Sequence, residues 1–158
     1  MQPIARADFT SSLFRLLQET FEGPPPDVGS AYLDKGAALS QTLDQLTAEA
    51  ASIPPVAGAP TIAAHCEHAR FYVVALQDFM RGATAKVDWV QSWPTHAVTQ
   101  AEWEELKVQL RGAYEALMEH LQSIRAWGDE EVGDAMAILV HTAYHLGAIR
   151  QLAKTLAR

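Results

Sequence analysis

The sequence predicts an all-α protein: a four-helix bundle with an extra N-terminal helix, in a single domain over residues 1–158. Three observations carry this expectation. Proline and glycine interrupt the chain at "EGPPPDVG" (22–29), "SIPPVAGAP" (52–60), "SWPTH" (92–96) and "WGD" (127–129), where a helix cannot run on through the prolines. Between the breaks, apolar residues recur at three- and four-residue spacings, without the strict alternation of half-buried strands. The intervening segments are long enough to pack antiparallel around one shared core, the economical solution for helices with a single apolar face.

The first helix is predicted over about 7–22, with Leu13, Leu16 and Leu17 on one side and Phe21 beyond them, docked on the bundle as the extra element. The second, over about 35–51, places Leu39, Leu43, Leu46 and Ala50 at spacings of four, three and four. The third covers about 61–81, with His65, His68, Tyr72, Ala75 and Phe79 on one stripe. The fourth, over about 99–125, has a heptad-like series from Trp103 through Leu106, Leu110, Ala113, Leu117 and Leu121 to Ile124. Thr99 followed three residues later by Glu102 is a helix-start signature. The fifth covers about 129–156, with Ile138, His141, His145, Ala148 and Leu152 on one stripe. Asp129 is the expected cap there, and Glu130 and Glu131 suit the positive end of the helix dipole.

Composition bounds the function. The 158 residues, 49% hydrophobic and 20% charged, suffice for one full core and argue against disorder. A formal charge of −7, with Lys107, Arg111 and Arg125 dispersed, disfavours a nucleic-acid partner. The lone Cys66 precludes an intramolecular disulfide framework and fits a reducing compartment. The opening "MQPIARADFTSSLFRLL" has neither the apolar run of a signal peptide nor that of a membrane span, so a cytoplasmic location without membrane association is expected.

The chemistry-bearing feature is "HTAYHLGAIRQ" (141–151). His141 and His145 lie one helical turn apart, their β-carbons about 5–6 Å from each other, so both rings can reach one metal at about 2.0–2.1 Å. A second pair, His65 and His68, occurs in "TIAAHCEHARFY". One inward histidine is ordinarily a hydrogen-bonded core group. Two inward pairs on two helices are harder to bury without a cation, since each unpaired imidazole costs on the order of 1–3 kcal/mol.

"HTAYHLGAIRQ" resembles the C-terminal signature of the DinB/YfiT-like superfamily, H-x-x-x-H-x-G-Q-I, and "TIAAHCEH" resembles the family's earlier histidine-bearing helix. The resemblance implies a four-helix bundle in which three histidines hold a divalent metal, zinc or nickel. By it the ligands are His141, His145 and, since the family's earlier histidine follows its helix start by about two turns, His68. His65 then lines the pocket or serves as a fourth ligand. The family's frequent glutamine falls on Ala148 here, so an outer hydrogen bond is either missing or supplied elsewhere.

The resemblance further implies a metal-dependent transferase or hydrolase acting on a small molecule, with a low-molecular-weight thiol such as bacillithiol. Related bundles often pair, so a homodimer is also an expectation. "HTAYH" lacks the glutamate of H-E-x-x-H, which argues against a zincin-type peptidase. Tyr72 and Tyr144 flank the histidines as candidate substrate contacts, although core packing is their simpler reading. Trp89, Trp93 and Trp103, in or beside the long loop with Asp88 and His96, are either a lid over the pocket or, more simply, anchors for the loop. The alternative functional class is a non-catalytic bundle that holds a metal or small ligand, favoured if His65 closes a four-histidine coordination sphere. A third is a helical interaction protein with merely hydrogen-bonded core histidines.

Overall fold

The computed structural model describes residues 4–93 and 95–156. Among them are six α-helices, one 3-10 turn and no strand: α1 (Arg6–Phe21), α2 (Leu39–Leu43), α3 (Ala48–Ala51), α4 (Ile62–Met80), the 3-10 turn Trp89–Ser92, α5 (Gln100–Ser123) and α6 (Asp129–Leu156). α4 packs against both α5 and α6, and α1 packs against the same two helices. The four long helices thus enclose one core that contains Leu13, Leu17, Ile62, Val73, Leu117, Ile138 and Ile149. No described helix is long and apolar enough to cross a membrane.

The all-α class holds, and so does the bundle, but its parts are assigned differently from the sequence expectation. α1 is itself one of the four long helices. The stretch expected as one helix over 35–51 is two short helices, and the reason lies in the core. Trp103 is fully buried, and its indole N–H donates to the Leu46 carbonyl at 3.0 Å. In an unbroken helix that carbonyl would accept from the Ala50 N–H. Ala50 N instead donates to the Thr47 hydroxyl at 3.1 Å, and Thr47, with extended backbone, caps α3. The break also shifts the stripe: Leu39 and Leu43 are buried as expected, but Leu46 and Ala50 are only partly buried, and Ala48 and Ala51 take their places in the core.

Helix ends follow local chemistry. α4 stops at Gly82, whose φ of +90° lets Gly82 N reach the Phe79 carbonyl at 2.8 Å and Ala83 N the Asp78 carbonyl at 2.9 Å, a glycine-dependent closure. α5 starts with the expected reciprocal pair: the Glu102 N–H donates to the Thr99 hydroxyl and the Thr99 N–H to the Glu102 carboxylate. At α6 the expected cap is corrected. Asp129 is the first helical residue, and Glu131 reaches back to accept from Gly128 N at 2.8 Å.

One buried charge shapes α1. Glu19 is fully buried, and its carboxylate accepts from Ser30 Oγ and from the N–H groups of Ala31, Tyr32 and Leu33 at 2.7–2.9 Å. It fastens the loop after the triple proline to the bundle. Burial alone would raise its pKa, but the bonds from Leu33, Tyr32, Ala31 and Ser30 outweigh that and hold it down at about 2.

Candidate metal centre

α4 and α6 pack along one another and carry all four inward histidines. On α4 the buried stripe runs through Ile62, Cys66, Ala69, Val73 and Leu76. His65, His68 and Tyr72 form the neighbouring shoulder, so the stripe expected to be core is the wall of the site. On α6 the buried series includes Ile138, Thr142, His145 and Ile149, with His141 half-buried beside it.

His68, His141 and His145 each offer one ring nitrogen to a cluster in which all three lie within 4.8 Å of one another. His141 Nε2 is 3.2 Å from His68 Nε2 and 3.3 Å from His145 Nε2. Nitrogens bound at about 2.0–2.1 Å to a tetrahedral metal stand about 3.3 Å apart, so these separations fit a cation. The donor chemistry fits as well. Each contact between two imidazole nitrogens needs a proton on one of them, whereas a cation takes lone pairs from all three at once. The other ring nitrogen of His141, Nδ1, is buried and has no hydrogen-bond partner among the described residues.

All four rings are held neutral, as metal ligation requires. Burial pushes the His145 pKa down to about 3, helped by His141, His68 and His65, and pushes His141 down to about 4, helped by His68. His68 is lowered by burial and by His65, and His65 by burial alone.

Aromatic rings cover the cluster on two sides. Trp93 stacks on His68, with centroids 3.9 Å apart and planes 17° apart. Tyr72 stacks on His141 at 3.6 Å and 12°. Trp93 also meets His65 edge-on at 5.5 Å, and Trp89 leans on Tyr72 at 5.5 Å. Tyr144 lies edge-on to His145 at 5.0 Å and is 69% exposed, so it stands at the rim and not in the core.

The sequence candidates thus separate by position. The structure brings His68, His141 and His145 onto one point. His65 sits outside it, with Nδ1 2.9 Å from His145 Nδ1, where it supports a candidate ligand and is no member of the group. Cys66 is fully buried, and that burial raises its thiol pKa. Glu67 is bound to Arg70 at 2.6 and 2.8 Å. Trp103 belongs to the α5 core, whereas Trp93 lies on the site itself.

One contact escapes sequence reasoning. Ser92 is fully buried, and its Oγ is 2.6 Å from His68 Nδ1. Ser92 lies 24 residues beyond His68 in the chain, in a stretch that reads only as a helix break, so nothing local marks it. The outer partners of the imidazoles are therefore Ser92 and His65, while the position of the family's glutamine is occupied by the half-buried Ala148. A cavity of about 320 Å³ between α1, α2 and α5, lined by Phe21, Leu39, Leu110, Arg111 and Tyr114, lies on other elements than those bearing the histidines.

Fold and site together define a class: a helical bundle with a three-histidine centre able to hold a metal ion. The chain belongs to the DinB superfamily, whose model matches residues 32–149, a stretch containing all four inward histidines. No curated protein and no solved structure matches the chain.

Proposed function

We propose that the protein is a metal-dependent enzyme in which His68, His141 and His145 hold one divalent ion, zinc or nickel. It catalyses transfer or hydrolysis on a small molecule, with a bacillithiol-type thiol as co-substrate of the transfer. The observation that carries this reading is the convergence of the three Nε2 atoms while His65 is engaged by the far side of His145. Three protein ligands leave a coordination position for water or substrate, as in catalytic zinc sites, whereas structural sites are closed by four.

A divalent ion there supplies Lewis acidity, which lowers the pKa of a water or thiol so that it serves as nucleophile near neutral pH. The remaining work falls to the chain. The imidazoles stay neutral because the bundle buries them. Trp93 and Tyr72 keep bulk water off two faces of the cluster. In this reading Tyr72 and Tyr144, whose rings lie against His141 and His145, contribute the hydroxyls that hydrogen-bond the substrate. Glu67 is tied to Arg70, so the adjacent carboxylate is not a free general base and peptidase chemistry of the zincin kind is disfavoured.

A second reading, a bundle that stores a metal or ligand without turnover, draws on the same aromatic cover, since close stacking on His68 and His141 restricts approach. What the two share is tested first, by loading purified protein with zinc or nickel and measuring metal content. One equivalent is expected, with uptake lost in His145→Ala. Absence of stoichiometric metal would remove the enzyme and the metal-storage reading alike. Turnover of a panel of electrophiles with a low-molecular-weight thiol, and of activated esters without it, then favours the enzyme. Metal-loaded protein that turns over neither set leaves the storage reading.

A further inference from the structure

Ser92 Oγ touches two groups, His68 Nδ1 at 2.6 Å and the Trp89 carbonyl oxygen, also at 2.6 Å. A hydroxyl carries one proton, and a carbonyl oxygen can only accept. Two oxygens cannot sit that close without a proton between them, so the Ser92 hydroxyl donates to Trp89. Its lone pair then faces His68 Nδ1, and the proton of that bond must come from the ring. His68 is therefore an Nδ1–H imidazole, and Nε2, the nitrogen turned toward His141, is left with its lone pair.

We infer that Ser92 is a positioning residue of the metal centre: its hydroxyl, aimed by the Trp89 carbonyl, fixes His68 in the tautomer whose Nε2 is free to bind the ion. The same bond ties the 3-10 turn Trp89–Ser92, and with it the Trp93 ring stacked on His68, to a metal ligand. This is an outer-partner role of the kind that commonly orients ligating histidines, here supplied by a loop between α4 and α5. The inference rests on the metal-site reading for its consequence, but the tautomer is a property of the chain itself.

The test uses the full chain in three forms: native, Ser92→Ala and Ser92→Thr. Long-range proton–nitrogen NMR on the metal-free protein at neutral pH reads the His68 tautomer directly. Zinc affinity is measured by competition with a chelating dye, and thermal melts establish that each variant is folded. The native protein is expected to show His68 protonated at Nδ1. Ser92→Ala should move His68 toward the Nε2–H form or a mixture and weaken zinc by about 10- to 100-fold. Ser92→Thr, which keeps the hydroxyl, should restore both.

An Nε2–H signature for His68 in the native protein overturns the inference. So does an unchanged tautomer in Ser92→Ala, or a changed tautomer with unchanged zinc affinity. Equal weakening in both variants with His68 still protonated at Nδ1 shows a merely structural role and also overturns it. Native protein that takes up no zinc fails the metal reading instead, and the tautomer measured on metal-free protein separates that failure from this one.

Discussion

His145 is 2% exposed, and each of its ring nitrogens faces another imidazole, so a proton added there is both buried and repelled. The folded pKa of about 3 for His145 and about 4 for His141 lies below the ordinary value of 6.5. Between these limits the unfolded chain binds more protons than the folded one, so stability falls as pH drops. For the metal-free protein, the urea midpoint should decline steadily from pH 7.5 to pH 5. Replacing both rings by glutamine should flatten that slope, and an unchanged slope would show that the cluster is not held neutral. The window stays above the range in which Glu19 titrates, whose contribution is present above its ordinary 4.5 and lost as pH falls toward about 2. The sequence displays the histidines because H-x-x-x-H places two rings on one face of one helix, a purely local relation. Which nitrogen meets which neighbour is set by α4, α6 and the 3-10 turn together, so local spacing alone does not tell His65 from His68, whereas the family resemblance singles out His68, the one that joins the cluster.

At the scale of elements, the helix limits at α4, α5 and α6 are legible because breakers and caps act within a few residues. The Thr99 and Glu102 pair illustrates this. Thr99→Ala should cost about 1 kcal/mol, read as a lowered denaturation midpoint, and loss of nothing measurable would mean that α5 is held by packing alone. The division of 35–51 into α2 and α3 is illegible for the opposite reason. Its cause is the Trp103 indole, 57 residues from the Leu46 carbonyl it occupies, while the apolar spacing on either side remains helical. Glu19 is hidden in the same way: nothing in the neighbouring sequence of α1 marks it, yet it is the acceptor that gathers Ser30, Ala31, Tyr32 and Leu33. Removing that carboxylate strands three N–H donors. Glu19→Ala should therefore cost about 3 kcal/mol, a far larger effect than truncating an exposed acid such as Glu115. Equal midpoints for the two variants would show that the loop does not depend on the carboxylate.

In the whole molecule the three candidate ligands join α4 to α6, and α4 packs on α5 while α6 packs on α1, so an ion bound there is linked to the folding of the entire bundle. A ligand that binds only the folded state adds stability by mass action, about 4 kcal/mol at a free concentration a thousandfold above its Kd. For a chain of 158 residues, each kcal/mol corresponds to roughly 2–4 °C in Tm, so saturating zinc or nickel should raise the melting temperature by about 8–16 °C. A chelator should reverse the shift, and His141→Ala should remove it while leaving a cooperative metal-free melt. The direction of the His141→Ala effect on the metal-free protein is informative in itself. His141 Nδ1, the ring nitrogen turned away from His68 and His145, is buried without a partner among the described residues, and an orphaned buried polar atom is a burden on the fold. Losing it should leave metal-free stability nearly unchanged or slightly higher, because the cost of the orphaned nitrogen offsets the lost stacking on Tyr72. A large loss of stability in metal-free His141→Ala, with no melting shift on adding metal to the native chain, would identify the cluster as a structural core of imidazoles. Scanning calorimetry of the two proteins, each with metal and with chelator, decides between these outcomes.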